Sequence, residues 1–219
     1  MTDRRIAREL ARQSLNRGDP VGWFEELYQL GEKDPSAIPW SGDSPNPHLV
    51  EWSRTRSRPA SGHRALVIGC GYGVDAEWLA GCGYSVTAFD ISPTAIDAAG
   101  RRSDRTKVEY CVANLLDPPK EWHRAFDLVF EGYTLQVLPP LARSQALANL
   151  AGCVRDTLLI VARGRGEADP TGELPWPLTR PELERVTQVR PDLVERRFED
   201  FFDAEVPPVR RFRVEFGVP

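Results

Sequence analysis

The 219-residue sequence contains no run of about eighteen apolar residues, the length a helix needs to cross a bilayer, and its N-terminus is charged where a secretory leader is apolar. A cytoplasmic protein with no membrane partner is therefore expected. Lysine is scarce, so nearly all of the 28 basic residues are arginine, a bias of genome composition; the 32 acidic residues outnumber them and leave a net charge of −4. Long-range attraction of nucleic acid is not expected at that charge. Two short basic clusters, Arg54-Thr55-Arg56-Ser57-Arg58 and Arg101 to Lys107, lack the interleaved aromatics that stack on bases, and they read as solvated charge. The four cysteines, Cys70, Cys82, Cys111 and Cys153, lack metal-ligand spacing. No metal is expected, and the thiols read as free, buried groups.

Against these absences stands one dense signal. Ala65 to Ile68 is an aliphatic run suited to a buried strand, and Gly69-Cys70-Gly71-Tyr72-Gly73 follows it directly, with Asp75 two residues further on. Glycines at a turn let a ligand approach the backbone closely. Val74 to Ala80 reads as a helix whose first amides face the turn, as in nucleotide-binding strand–turn–helix units. The spacing is G-x-G-x-G and lacks the third glycine of the dinucleotide fingerprint G-x-G-x-x-G. A second apolar run, Tyr84 to Phe89, ends on Asp90, and Ser92-Pro93 then opens a helix that ends near Gly100. A carboxylate at such a strand tip, about twenty residues past the first glycine, is placed to bind a ribose diol.

Further strands are expected at Val108 to Val112, followed by Ala113-Asn114-Leu115-Leu116-Asp117; at Phe126 to Glu131, followed by Gly132 and Tyr133; and at Thr157 to Ala162. The amide oxygen of Asn114 offers an acceptor to an adenine amino group. Thr179 to Glu182 matches a capping box and starts a helix through Val186. Runs near Leu193–Phe202 and Val209–Val218 flank Pro207-Pro208 and suggest an antiparallel pair at the sheet edge. Before the core, an amphipathic helix carries Ile6, Leu10 and Leu15, Gly18-Asp19-Pro20 breaks it, and a second helix holds Trp23, Phe24, Leu27 and Tyr28.

Together, Gly69 to Gly73, Asp75, Asp90 and the Asn114 segment resemble the motifs of class I S-adenosylmethionine-dependent methyltransferases. The resemblance implies an α/β fold with a Rossmann-like seven-stranded, mostly parallel sheet, helices on both faces and a C-terminal antiparallel strand pair. It also implies a single methyltransferase domain over 1–219, with a helical lid over 1–60 and a catalytic core over 62–219. Ile38-Pro39-Trp40, Pro45 to Val50, Asp90-Ile91-Ser92 and Tyr133 through Pro140 further resemble the thiopurine and halide/thiol S-methyltransferase branch. In that branch the proline–tryptophan pair helps close the cofactor site. The sequence departs from the pattern at Asn114, where the family has an acid, and at Gly132, which separates Glu131 from Tyr133.

S-adenosylmethionine is thus the implied cofactor, held by Trp40, Gly69, Cys70, Gly71, Gly73, Asp75, Asp90, Ile91, Asn114, Leu115 and Glu131. Tyr133 and Glu131 are the candidate catalytic residues, with His48 a further possible proton acceptor. The partner is a small-molecule acceptor: a thiol, halide or chalcogen nucleophile first, an oxygen or nitrogen metabolite second. A non-catalytic protein that binds the cofactor is the next reading. A nicotinamide-dependent oxidoreductase is the last, opposed by the glycine spacing.

Overall fold

Alternation of apolar side chains, bounded by glycine, proline and polar caps, sets the elements of the computed structural model, which describes residues 4–102 and 108–219. The chain begins with α1 (Arg5–Asn16), α2 (Trp23–Lys33) and α3 (Pro47–Arg54). The alternating core then runs β1 (Arg64–Ile68), α4 (Val74–Cys82), β2 (Ser85–Asp90), α5 (Pro93–Arg102), β3 (Val108–Val112), β4 (Phe126–Gly132), α6 (Pro140–Cys153) and β5 (Val154–Arg163). It ends with α7 (Arg180–Val189), β6 (Val194–Phe202) and β7 (Arg210–Gly217). The basic cluster expected at Arg101 to Lys107 lies largely outside the described residues.

The seven strands form one sheet in the order β3-β2-β1-β4-β5-β7-β6. The first five are parallel, and β7 inserts antiparallel to both β5 and β6. The expected pair is present, with only β7 reversed relative to the parallel strands. Chain order reverses between β1 and β4, so their carboxyl ends open a crevice at the topological switch point, where ligands bind in open α/β sheets.

The period-2 pattern of β1 fills both faces. Leu66 and Ile68 join a core with Trp23, Leu27, Phe89, Leu147 and Leu183, while Ala65 and Val67 join another with Leu49, Trp52, Ala76, Leu79 and Phe130. Helix α5 starts as its sequence dictates, since Ser92 Oγ accepts the Ala95 N–H at 3.0 Å. Helix α2 is clamped onto that start by Glu25, which accepts from the hydroxyls of Ser92 at 2.5 Å and Thr94 at 2.7 Å. The Thr179 capping box of α7 is complete, with side-chain and backbone bonds to Glu182 in both directions.

One face differs from its sequence reading. Helix α1 buries Ala7, Ala11 and Ser14, while Ile6 is 44% exposed and Leu10 and Leu15 are only partly covered. Small residues let α1 lie close to α2, and Ser14 donates to the Asp19 carbonyl that ends the turn. Helix α3 begins on Asn46, whose side chain accepts the His48 N–H. Among the described residues no helix is long and apolar enough to cross a membrane.

Candidate active site

A cavity of about 400 Å³ opens over the carboxyl ends of β1, β2 and β4, with Gly69, Cys70, Gly71, Asp75, Asp90, Ile91, Asn114, Leu115, Tyr133 and Trp40 in its wall. The volume is in the range of small-molecule sites. Its floor is the glycine turn. Gly71 and Gly73 have φ of +51° and +82°, and a β-carbon on Gly71 would sit 2.8 Å from the Tyr28 hydroxyl. Only glycine meets both demands without strain.

Asp90 joins the turn to the end of β2. Its Oδ2 accepts the Gly71 N–H at 2.9 Å and its Oδ1 the Ser92 N–H at 3.1 Å, with the residue 5% exposed. Burial raises its carboxyl pKa to about 6, against the lowering effect of those N–H groups and of Ile91. Each oxygen retains a second lone pair for a ligand hydroxyl. Asp75, on the first turn of α4, accepts the Asn46 N–H at 2.6 Å and is likewise raised to about 6 by burial. This bond ties the start of α3 to the glycine turn. The Cys70 thiol is pushed well up by burial and then by the Asp90 charge, so it stays protonated.

The rim is aromatic. Trp40, 43% exposed, donates through Nε1 to the Tyr28 hydroxyl at 3.0 Å, and Tyr28 meets Tyr72 edge-on at 5.4 Å. Tyr28 was legible in the sequence only as a core position of α2. Its hydroxyl instead lies directly over Gly71. Asn114 carries its Oδ1 on the Leu116 N–H at 2.9 Å, which leaves one lone pair and the side-chain N–H groups for a base.

Glu131 departs from its expected place. Its side chain is fully buried and absent from the cavity wall; Oε1 accepts from the Thr134 N–H at 2.6 Å and the Leu135 N–H at 2.9 Å. The carboxylate caps the turn after β4: alternation puts Glu131 and Gly132 on opposite faces, and Tyr133, just past the strand at φ +72°, breaks the alternation and joins the cavity wall. Burial raises its pKa from 4.5 to about 7, and Oε2 has no hydrogen-bond partner. The folded state therefore holds this proton more tightly than the unfolded chain does. That contribution to stability is complete below pH 4.5 and lost as pH rises through about 7. Between those values the wild type should lose on the order of 2–3 kcal/mol relative to Glu131→Gln. Urea unfolding across this range reads the difference, and parallel pH profiles would refute the assignment.

His48 is also elsewhere. It is 8% exposed, edge-on to Phe201 at 5.0 Å and outside the cavity wall. Burial, then the charges of Arg211 and Arg213, lowers its pKa. Tyr133 does face the cavity, at φ +72°, with its hydroxyl bonded to the Asn46 side chain and its ring beneath the Arg211 guanidinium at 4.8 Å. Burial pushes its phenol up to about 12. Gln136, Arg163 and Arg211 complete this end of the wall. They lie far apart in sequence, and no local pattern marks them.

Residues 65–157 match a family model described as a methyltransferase domain. The chain is 34% identical over 121 residues to a ubiquinone biosynthesis O-methyltransferase of Xanthomonas axonopodis pv. citri, covering 51% of this chain and 50% of that protein. It is 29% identical over 132 residues to the probable thiol methyltransferase 2 of Arabidopsis thaliana, covering 59% and 55%. The chain thus spans about half the length of these curated relatives. Among solved structures, the N-methyltransferase NodS of Bradyrhizobium japonicum WM9, in complex with S-adenosyl-L-homocysteine, superposes with a TM-score of 0.66 at 19% identity, covering 88% of this chain and 98% of that one.

Proposed function

We propose that this chain, whose residues 65–157 match a methyltransferase-domain model and whose fold matches that of NodS, is an S-adenosylmethionine-dependent enzyme that methylates a small molecule. The observation that carries the reading is Asp90, buried at the tip of β2 and hydrogen-bonded to the Gly71 N–H, with spare lone pairs toward the cavity. Asp90 would hold the ribose diol, Ile91 and the Asn114–Leu115 segment the adenine, and the Gly69–Gly73 turn with Asp75 the amino-acid part. The cofactor supplies, when bound, a methyl group on a sulfonium.

The residues of the chain contribute alignment and exclusion of water, which is what an in-line displacement with loss of charge needs most. Trp40 and Tyr28 roof the turn, so the N-terminal helices act as a lid. Among the described residues no strong base faces the acceptor end: Glu131 points into the turn, His48 packs on Phe201, Tyr133 is raised to about 12 and Glu205 is paired with Arg211. This favours acceptors that need little or no proton removal, such as a thiol, halide or chalcogen anion. An oxygen or nitrogen acceptor is the second reading. Four free thiols accord with a cytoplasmic location.

Incubation with S-adenosylmethionine and a panel of thiols, halides, chalcogen oxyanions and phenols should give methylated product by mass spectrometry. Tight binding of S-adenosylhomocysteine without product from any acceptor would leave a silent binder. Stabilisation by NADH instead would overturn the reading.

A further inference from the structure

The cavity is electrically two-ended. Asp75 and Asp90 lie at the β1–β2 end, whereas Arg4, Arg163 and Arg211 line the opposite end, beyond β4. Arg163 closes β5, three strands from Asp90, which at sheet spacing separates the two ends by about 14 Å. Opposing the three guanidiniums are Glu205, in the same wall, and Asp203 behind it. Among the described residues, one positive charge is left over.

The three arginines are not equivalent. Arg211 is held by Asp203 at 2.5 Å and by Glu205, and it stacks over Tyr133, so its charge is met and its position fixed. Arg163 approaches Glu205 only to 3.9 Å, although its side chain is 16% exposed. Its backbone is pinned, with the N–H donating to Gln136 Oε1 at 2.7 Å. Burial, then the charges of Arg4 and Arg211, lowers its pKa against the smaller support of Glu205 and Asp203. A half-met, half-buried cation lining a cavity is relieved by an anion, and a guanidinium fits a carboxylate or other oxyanion through paired N–H donors.

We infer that the methyl acceptor carries a carboxylate or similar oxyanion, which docks on Arg163 at the Arg4–Arg211 end of the cavity. The inference rests on the proposed methyltransferase reading and adds the substrate class. The anionic group anchors the acceptor, while Tyr133 and Gln136 flank the space between it and the glycine turn.

The test is calorimetric binding to the S-adenosylhomocysteine complex of two matched pairs: 3-mercaptopropionate with 3-mercaptopropionamide, and 4-hydroxybenzoate with 4-hydroxybenzamide. Within at least one pair the acid should bind tenfold or more tightly than its neutral amide. Arg163→Gln should abolish the preference, Arg163→Lys should keep most of it, and both variants should bind S-adenosylhomocysteine as the wild type does. Equal binding within both pairs, no measurable binding of either acid, or a preference that survives Arg163→Gln overturns the inference while the methyltransferase reading stands. Failure of S-adenosylhomocysteine itself to bind removes both.

Discussion

Asp90→Ala should weaken S-adenosylhomocysteine binding by about 1–3 kcal/mol, roughly five- to 150-fold in the dissociation constant, through loss of hydrogen bonds to a charged acceptor. Stability at pH 7.5 should move less than affinity. The substitution removes the acceptor of the Gly71 and Ser92 N–H groups, at a cost of about 1–3 kcal/mol each. It also relieves the burial of a carboxylate whose pKa has been raised from 3.8 to about 6, an offset of about 3 kcal/mol. The sign of that shift makes the free-protein stability due to Asp90 decline as pH rises from 3.8 through 6. Ligand affinity should run the other way, falling as pH drops through 6 in the wild type and staying flat in Asp90→Ala. Calorimetric titrations between pH 5 and 8 separate these effects. An unchanged dissociation constant would contradict the ribose assignment.

Gly73→Val should be the most damaging single change at the turn. Its φ of +82° strains a β-branched residue, and a β-carbon there would stand 2.2 Å from the Tyr110 hydroxyl and 2.8 Å from the ring carbon that bears it. Two ring carbons also lie under 3.0 Å away, so a small rotation of Tyr110 does not relieve the clash. The turn must move. Backbone strain of about 1–3 kcal/mol and overpacking of about 1–3 kcal/mol together lower the melting temperature by roughly 10 °C in a domain of this size. S-adenosylhomocysteine affinity should fall more than a hundredfold: Gly73 is itself outside the cavity wall, but it joins the wall residues Gly71 and Tyr72 to Val74 and Asp75. Gly100→Ala is the matching control: it lies in α5 at ordinary φ with open space around it, and should stabilise by about 0.5–1 kcal/mol. A Gly73→Val protein that melts and binds as the wild type does would remove the turn from the site.

Local signals carried most of the fold. The run Ala65 to Ile68 into the glycine turn, Asp90 at the close of the second strand, the Ser92 cap and the Thr179 capping box each depend on residues within a few positions of one another. The structure places them as that logic requires. What escaped depends on distance or direction. The insertion of β7 between β5 and β6 is a choice among long-range pairings. The face of α1 was misread because Ile6, Leu10 and Leu15 outweigh Ala7, Ala11 and Ser14 in hydrophobicity, whereas close helix packing selects the small residues. Glu131 sits at the expected strand end, yet alternation turns its carboxylate into the following turn. Arg163 and Arg211 meet across the end of the sheet from positions 48 residues apart, where periodicity carries no information.

A crystal structure of the protein with S-adenosylhomocysteine tests the account most directly. The ribose diol should lie on Asp90, the adenine beside Ile91, Asn114 and Leu115, and the thioether sulfur should face the Tyr133 end of the cavity. A cavity without ligand in crystals grown at saturating S-adenosylhomocysteine, or a ribose bound away from Asp90, would contradict it.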